Sequence, residues 1–496
     1  MRILRANKNM FVRIAGVLLI GITLIACTSI NRLRAQIAVG GLTYYVCDNG
    51  DDKSVGTTKA KPLKTYEKAM SKFGSLHAGD SILFCRGGNF NVTKYSALFN
   101  TKFRAHKPGT IGDYFAPEAI GDEPRPIISS LNNGALYFNT QSPFGPDGGL
   151  IVQNLELRGR GIGMGIFLLN GFSDVKVKNV LIDGFEIGMY SGGGAQNSNN
   201  VSLTDSQIQN NTGQGWLGGG DNLLIEDNSF HNNGYGHNGS SISQHNVYVS
   251  NNELSPGKNI IVKGNDLYKS ANVDGKCGGA SLVVHGQMEN LLIEKNTIRE
   301  DEGAVDGYCY GLGVGPAYSS GESFKDVRIL NNLLINVGRV GISGGSLVTA
   351  LISGNTIIDY GSVLDEGILV PEEGNGNDAK SNNVEILNNT IIANNSHAIG
   401  VVIGGSFPYT VKYNTISFNA DSENTQCFKK TDANVDTDTS TTRCIIHNKE
   451  DGREAQAQQA AEAAMNLEFN GETDSANAAP AAISTAEKTH KDVHKN

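Results

Sequence analysis

The chain has 496 residues, including 61 glycines, 12 prolines and one tryptophan, and its formal net charge is −9. This charge argues against nucleic acid as a partner, because no basic stripe is available to neutralise phosphates. It does not exclude a polyanionic sugar held by a local basic patch or by calcium. The length does not fix the number of domains, because an array of repeats grows along one axis without dividing its core.

The N-terminal segment has the composition of an export signal. Four basic residues precede a hydrophobic run at residues 14–26, which is shorter than a typical membrane-spanning helix. We therefore predict that residues 1–26 are a signal peptide.

Residues 24–27 read Leu-Ile-Ala-Cys, which resembles a bacterial lipobox. In lipobox proteins the cysteine becomes the lipidated first residue, and Thr28 after it resembles sequences directed to the outer membrane. The resemblance predicts lipidation at Cys27, a tether over residues 27–40, and a lipoprotein of the outer membrane or cell surface that contacts the membrane only through its anchor. Ordinary signal-peptidase cleavage is the alternative, because small residues also precede Cys27, and it would give a secreted or periplasmic protein.

The next segments predict a capped start of a β-structure. A strand-like run at residues 44–47 is followed by residues 65–73, where Thr65 is a suitable helix N-cap. Four apolar side chains fall on one face of this helix: Tyr66, Ala69, Met70 and Phe73. A short helix here would cover the open end of a stack of strands, where backbone groups and core are otherwise exposed. A Gly-Asp turn at residues 79–80 then leads into the next apolar run.

A repeated phrase organises the rest of the chain, and its cleanest copy is Asn-Val-Glu-Ile-Leu-Asn-Asn-Thr-Ile at residues 383–391. Alternating Val, Ile and Thr around a turn-forming Asn predict short strands rather than helices. A buried Asn amide can pair the backbone groups of its turn and also bond to the Asn of the next coil. Seven asparagines recur at intervals of 37, 31, 36, 23, 34 and 25 residues: Asn228, Asn265, Asn296, Asn332, Asn355, Asn389 and Asn414.

These pieces together resemble the pectate-lyase-like right-handed parallel β-helix superfamily, over residues 41–448. The resemblance implies an all-β solenoid, a right-handed parallel β-helix with a short N-terminal capping helix. We expect irregular early coils at residues 82–128, then about ten or eleven regular coils from Leu150 to Phe418. Residues 449–496 form a tail that is first helix-prone and then disordered.

Six cysteines remain when Cys27 is set aside, an even number that suits disulfides in an exported protein. Fifteen pairings are possible, and the repeat narrows them. Cys277 and Cys309 are 32 residues apart, close to the 31 between Asn265 and Asn296, which places them on adjacent coils. The predicted pairs are Cys277–Cys309, Cys47–Cys85 at the N-terminal end and Cys427–Cys444 at the C-terminal end.

A second strand follows each Asn turn, and its period of two separates inward from outward side chains. We predict that the outward column forms one long polysaccharide-binding face, with edge packing as the alternative for its aromatic residues. By strict alternation His245 and Glu366 point inward, so they lie at coil corners or the register slips there. The predicted substrate-binding residues are Glu186, Tyr190, Trp216, Gln244, Asn246 and Lys276, and further outward positions are Ser281, Ser343 and Leu369.

The chemistry expected on this face is β-elimination in a uronate-containing polysaccharide. A lyase needs a base for the proton α to the carboxylate and a group that neutralises this carboxylate, often calcium held by acids. Calcium is therefore a candidate cofactor, although no cofactor is required by the sequence. The predicted catalytic residues are His285, Arg339, Tyr248 and Asp365, with acidic residues Asp301, Glu302 and Asp306 on nearby loops.

Two alternatives remain open. Paired acids at residues 365–366 and 372–373 would suit a hydrolase. The signatures of polygalacturonases, alginate epimerases and pectate lyases are incomplete or missing, which favours a non-catalytic polysaccharide-binding or adhesion lipoprotein. Arg339 and Asp365 would then form only a surface salt bridge.

Overall fold

The computed structural model describes residues 41–446 except residues 132, 141–146, 193–195, 236–242, 252–255, 274, 319–320, 362, 372–375, 406–407, 419–424 and 432–439. The predicted signal peptide, Cys27 with its tether, the acids at residues 372–373 and the tail at 449–496 lie outside the described residues. Contacts divide the chain into Met1–Leu42 and Thr43–Asn496, and the second unit holds the fold described below. No helix within the described ranges combines the length and hydrophobicity needed to cross a membrane.

The fold is a right-handed parallel β-helix in which each coil adds a strand to each of three parallel sheets. The first sheet contains Thr43–Val46, Ser81–Cys85, Gly109–Tyr114, Gly148–Gln153, Ser173–Lys178, Val201–Thr204, Leu223–Glu226, Gly257–Lys263, Gln287–Glu294, Ser323–Leu330, Ala350–Ser353, Val384–Leu387 and Tyr409–Lys412. The second contains Asn89–Val92, Ile127–Ser130, Glu156–Arg158, Leu181–Asp183, Gln207–Gln209, Ser229–Asn233, Asp266–Ser270, Thr297–Arg299, Leu333–Ile335, Thr356–Asp359, Thr390–Ala393, Thr415–Phe418 and Arg443–Ile446.

The third sheet contains Gly134–Asn139, Met164–Leu169, Ile187–Ser191, Trp216–Gly218, Val247–Ser250, Ala280–His285, Tyr310–Val314, Val340–Gly344, Glu366–Val370, Ile399–Ile403 and Gln426–Lys430. A small antiparallel pair joins Asn272–Val273 to Lys276–Cys277 beside it. The chain therefore runs from the first sheet through the Asn turn to the second, and then to the third.

Regular stacking begins earlier than the sequence predicts. Ser81–Cys85 pairs with Gly109–Tyr114, which in turn pairs with Gly148–Gln153. The first two sheets each contain 13 described strands, and ten of each lie between Gly148 and Phe418, where ten or eleven regular coils are expected. The prolines in this region made the strand pattern of the sequence look irregular. In the structure Pro108 and Pro124 lie in the connections between strands, so they do not interrupt the hydrogen bonding of the sheets.

The N-terminal cap is the helix Tyr66–Met70, as predicted. The Thr65 hydroxyl accepts a hydrogen bond from the Lys68 amide at 3.2 Å. The predicted apolar face, including Phe73 in the following 3₁₀ turn, is buried. Tyr66 also donates its hydroxyl to the Ala135 carbonyl at 2.8 Å, so the helix is fixed to a strand of the third sheet.

The seven predicted asparagines form a continuous buried ladder between the first and second sheets, and each is at most 3% exposed. Asn296 is typical: its Nδ2 donates to Asn332 Oδ1 at 3.0 Å and to the Val262 carbonyl at 2.9 Å. Its Oδ1 accepts from the backbone amide and the Nδ2 of Asn265. Every polar atom of the side chain is thus paired, which removes the penalty for burying an amide.

The residue before each ladder asparagine has a positive φ, which turns the chain sharply from the first sheet into the second. Gly264 and Gly354 adopt this conformation at φ values of 66° and 69°, and Lys295 and Tyr413 adopt it at 54° and 58°. Non-glycine residues are uncommon in this region. The ladder that follows supplies the hydrogen bonds that hold them there.

The structure contains the three predicted disulfides, Cys47–Cys85, Cys277–Cys309 and Cys427–Cys444. Cys277 and Cys309 form a small cluster with Val305 and Val363, separate from the main hydrophobic core. Beside them lies Glu300, which is only 5% exposed. Burial raises the pKa of this carboxyl group to about 8, so Glu300 is mostly neutral at pH 7.

Asn332→Ala should lower the free energy of unfolding by about 3–5 kcal/mol, because it strands the Asn296 amide, the Asn296 Nδ2 and the Ile293 carbonyl. The measurement is urea unfolding, monitored by circular dichroism. A matched control is Asn259→Gly in a second, exposed asparagine ladder, where Asn259 donates to Asn222 at 2.9 Å. Equal losses in the two variants would contradict a special role for the buried ladder.

Glu300→Gln should change how stability depends on pH. The native state holds the Glu300 proton up to about pH 8, whereas the unfolded chain releases it near the ordinary value of 4.5. The free energy of unfolding should therefore fall as pH rises between these values, by about 3–5 kcal/mol. The Gln variant should lack this decline, and the exposed neighbour variant Glu302→Gln should keep it. Urea unfolding at a series of pH values from 4 to 9 measures this decline, and a decline of equal size in the Glu300→Gln variant would contradict the assignment.

Candidate functional site

The outer face of the third sheet carries one row of side chains in exact register. Its order is Tyr137, Phe167, Tyr190, Leu217, Tyr248, Val283, Gly313, Ser343, Leu369, Val402 and Lys429. The row contains Tyr190, Tyr248, Ser343 and Leu369, which the sequence pattern assigned to one outward column. The face is therefore aromatic toward the N-terminal coils and aliphatic or small toward the C-terminal coils.

Four rings at the N-terminal end of this row stack on one another. Ring centroids are 5.5 Å apart for Tyr95 and Tyr137, 5.0 Å for Tyr137 and Phe167, and 5.1 Å for Phe167 and Tyr190, with interplanar angles of 14–25°. Because neighbouring rings cover each other's faces, the row offers ring edges and hydroxyl groups rather than open ring faces. Tyr190 therefore packs within the row, which is the alternative stated above for the aromatic residues of this face.

The densest group of reactive side chains lies farther along the same face. The hydroxyl groups of Tyr248 and Tyr318 are 3.0 Å apart, and Ser250 Oγ is hydrogen-bonded to the Tyr318 hydroxyl. The ring of His285 packs edge-on against Tyr248 and Tyr318, with centroid distances of 5.4 and 6.2 Å. We call Tyr248, Ser250, His285 and Tyr318 the hydroxyl-histidine cluster.

His285 is held in one tautomer. Its Nδ1 lies 2.6 Å from the Gly315 carbonyl oxygen, which can only accept, so Nδ1 carries the proton. Nε2 is left with a lone pair. Burial lowers the pKa of His285 below its usual value, more than the hydrogen bond to Gly315 and the charge of Glu322 raise it. The imidazole is therefore neutral at pH 7 and basic at Nε2.

Glu322 fixes the loop that carries Tyr318. Its carboxylate is 1% exposed and accepts hydrogen bonds from the backbone amides of Ala317, Tyr318 and Gly286. Gly286 follows His285 directly, so one carboxylate holds the backbone beside both reactive rings. Burial raises the pKa of Tyr248, as does its hydrogen bond with Tyr318, and Tyr248 keeps its proton at neutral pH.

Trp216 and Asn246, both predicted to bind substrate, are buried. Trp216 is 0% exposed and donates Nε1 to the Gly218 carbonyl at 3.0 Å. It directly precedes Leu217 of the outward row, so ordinary alternation places it inside. Asn246 is also fully buried, accepting from Asn233 Nδ2 at 2.8 Å and donating to Ser281 at 3.2 Å. It lies two residues before Tyr248, where the chain turns a corner before the strand Val247–Ser250 and strict alternation fails.

His245 and Glu366 also lie where the chain enters the third sheet, which is why their positions depart from the alternation of the strands. His245 precedes the strand Val247–Ser250, is 5% exposed and bonds through Nδ1 to the Ala280 carbonyl at 2.8 Å. Burial lowers its pKa to about 4, which marks a neutral structural histidine. Glu366 opens the strand Glu366–Val370 and is half-buried, and burial raises its pKa.

The structure separates the predicted catalytic residues into two groups. Tyr248 and His285 lie in the hydroxyl-histidine cluster, Tyr248 within the strand Val247–Ser250 and His285 at the end of the strand Ala280–His285. Arg339 and Asp365 lie just before theirs, and Arg339 Nε is 3.0 Å from Asp365 Oδ2 in an exposed ion pair. A four-residue strand length, about 13 Å, separates the two edges of the sheet. Arg339 therefore does not join His285 in one catalytic set.

The remaining predicted binding residues lie outside the cluster. Glu186 is exposed and Gln244 is half-buried, and both precede third-sheet strands on the edge that carries Arg339. Lys276 is exposed in the small hairpin next to the sheet. Only Tyr190 belongs to the outward row.

The described residues do not fit a calcium site. Two groups of three side chains bring potential ligand atoms together, and each contains both cysteines of a disulfide. Asp301, one of the acids expected to help, instead pairs with Lys269 at 2.9 Å and accepts from the Tyr268 hydroxyl at 2.7 Å.

Sequence reasoning missed four members of the site: Tyr137, Ser250, Tyr318 and Glu322. Ser250 follows Tyr248 by two residues, so the period of two would have placed it outward. Tyr318 and Glu322 lie in or beside a loop outside the repeat, where no periodicity predicts a position.

A search of family models finds no match to the chain. A lacto-N-biosidase of Bifidobacterium longum subsp. longum is 34% identical over 101 residues, which are 20% of this chain and 6% of that protein. A GH136 lacto-N-biosidase structure from Eubacterium ramulus is 14% identical, covers 85% of this chain and 69% of its own, and has a TM-score of 0.48. An alginate lyase from Paenibacillus sp. is 14% identical, with 75% and 97% coverage and a TM-score of 0.37.

His285 should titrate below pH 6.5 and carry its neutral proton on Nδ1. Long-range ¹H–¹⁵N NMR of histidine-labelled protein, assigned with His285→Gln, measures both properties. The Nε2–H tautomer at pH 7, or a pKa at or above 6.5, would show that the Gly315 contact does not control this ring.

Proposed function

We propose that the chain is an exported carbohydrate-active protein that binds an extended glycan along the outer face of the third sheet and cleaves it by β-elimination. The observation that carries this proposal is the neutral His285, whose Nδ1 is bonded to the Gly315 carbonyl and whose ring packs against Tyr248 and Tyr318. A relative named lacto-N-biosidase over 101 residues agrees with a saccharide ligand.

The proposed reaction balances within the hydroxyl-histidine cluster. His285 Nε2 removes the proton from C5 of a uronate residue, and the electron pair forms the C4–C5 double bond as the C4–O4 bond breaks. The leaving oxygen takes a proton from Tyr248, whose raised pKa keeps it protonated until that step. Proton exchange with His285 then restores Tyr248.

The other parts of the face suit binding rather than chemistry. Tyr137 and Tyr190 present hydroxyl groups, and Asn139 donates to Tyr137 at 3.3 Å. Such hydroxyl and amide groups can hydrogen-bond to the sugars of an extended glycan. Ser250 and Tyr318 supply the hydrogen bonds proposed for the uronate carboxylate.

His285→Ala should reduce kcat/KM at least ~100-fold, because it removes the proposed base. The assay follows unsaturated-uronate absorbance on alginate, pectate and glycosaminoglycans, with and without calcium. His397→Ala, at an exposed histidine on another loop, is the matched control and should retain activity. Arg339→Ala should also retain most activity, because its ion pair lies on the opposite edge.

Activity that survives in His285→Ala would refute the assignment of the base. Retained glycan binding without any absorbance, in the wild-type protein, would instead support the non-catalytic adhesion alternative.

A second candidate is glycoside hydrolysis at Asp365 and Glu366. Glu366 Oε2 is buried without a hydrogen-bond partner among the described residues, and burial raises the pKa of this carboxyl group. Asp365 accepts hydrogen bonds from Arg339 Nε at 3.0 Å and from Asn395 Nδ2 at 3.3 Å. Two neighbouring carboxyl groups in different environments are what glycosidases use.

Hydrolysis and β-elimination both release new reducing ends, but only β-elimination forms an unsaturated sugar. Reducing-end release without unsaturated-uronate absorbance would therefore indicate this candidate. Glu366→Gln should abolish such release if the candidate is right, whereas the exposed Glu385→Gln should not alter it. Release that persists in Glu366→Gln would remove the candidate.

Export and lipidation are part of the proposal and rest on residues 1–40. Radiolabelled palmitate should enter the wild-type protein but not Cys27→Ala. Absence of label in the wild-type protein would favour ordinary signal-peptidase cleavage.

A further inference from the structure

The Cys277–Cys309 disulfide has an unusual neighbour in Glu300. A Glu300 carboxyl oxygen and both sulfur atoms lie within 4.8 Å of one another. Glu300 Oε1 accepts from the amide and hydroxyl of Ser270 at 2.8 and 3.1 Å. Oε2 is buried without a partner among the described residues.

This arrangement does not serve the glycan face. Glu300 follows the second-sheet strand Thr297–Arg299, whereas the hydroxyl-histidine cluster lies on the outer face of the third sheet. Nor is the second oxygen needed to hold the fold, because it forms no hydrogen bond. The position of the Glu300 carboxyl group next to the two sulfur atoms is therefore the feature to explain.

The disulfide lies beneath a surface loop rather than in the main core. Residues 301–303 and 306–308 are exposed, and Val305 alone turns inward over the sulfur atoms. Two backbone hydrogen bonds hold the loop to Cys277: its amide donates to Ala304 at 2.8 Å, and its carbonyl accepts from Asp306 at 3.1 Å. Opening such a small cluster costs far less than global unfolding.

We propose that Cys277–Cys309 is a site of thiol–disulfide exchange in which Glu300 donates a proton to the departing sulfur. An external thiolate, from a dithiol or a dithiol protein, attacks one sulfur after the loop opens. The bond between Cys277 and Cys309 breaks, a mixed disulfide forms on the attacked sulfur, and the other sulfur leaves with the bonding pair. That sulfur takes the proton of Glu300, which becomes a carboxylate. This function is independent of the proposed glycan activity.

Proton donation matters because a thiolate released in an apolar pocket is poorly solvated. Glu300 is neutral there at pH 7, since burial outweighs its hydrogen bonds to Ser270. The Cys47–Cys85 disulfide provides a contrast within the same chain. Its nearby carboxyl group, Asp48, is exposed rather than buried, and it accepts a hydrogen bond from the Asn89 amide at 3.0 Å.

The test is reduction of the folded protein by dithiothreitol at pH 7, followed for each disulfide by differential alkylation and mass spectrometry. Hydrogen exchange of the peptide spanning residues 300–310 gives the loop-opening constant, by which each rate is divided. Glu300→Gln should slow the corrected reduction of Cys277–Cys309 at least ~10-fold and leave Cys47–Cys85 unchanged. Glu302→Gln, at the exposed neighbour, should behave like the wild-type protein.

A pH series separates proton donation from a structural effect. After correction for thiolate concentration, the wild-type rate for Cys277–Cys309 should fall above about pH 8, whereas the Glu300→Gln rate should stay flat. Equal corrected rates in the two proteins, or reduction that occurs only at the rate of global unfolding, would overturn the proposal.

Discussion

The buried asparagine ladder is the interaction on which the rest of this structure depends. Each amide pairs with backbone groups of the preceding coil and with the amide of the next coil, as Asn296 does with Val262 and Asn332. The pairing tolerates connections of different lengths, because only the turn must be in register. Long insertions can therefore leave each coil without moving the strands above and below it, and loops such as the one carrying Tyr318 become compatible with a regular stack.

The register set by the asparagine ladder also aligns the side chains on the outer face of the third sheet. The ladder lies between the first and second sheets, yet it aligns the third sheet so that Tyr190, Leu217 and Tyr248 form one row. Within this row the stacked rings cover each other's faces, so their main contribution is to order the surface. The reactive groups lie where stacking stops, and there a buried Glu322 holds the backbone near His285 and Tyr318.

Much of the scaffold could be predicted from the sequence, because its determinants are periodic. Repeated asparagines, the Thr65 cap and the spacing of Cys277 and Cys309 all report local geometry that recurs in every coil. The site was less accessible to prediction. Asn246 was assigned to the outward face because a corner interrupts alternation just before its strand, and Tyr318 was missed because its loop follows no repeat. Arg339 and His285 were joined because an alignment of strands does not reveal which edge each side chain occupies.

The central claim is that a glycan binds the outer face of the third sheet at the hydroxyl-histidine cluster. A crystal structure of the protein with a uronate oligosaccharide tests this most directly. The account predicts a sugar ring within hydrogen-bonding distance of His285 Nε2 and the Tyr248 hydroxyl, with the chain running across successive coils. An oligosaccharide bound instead on the second sheet, for example against Tyr268 and Arg299, would contradict it.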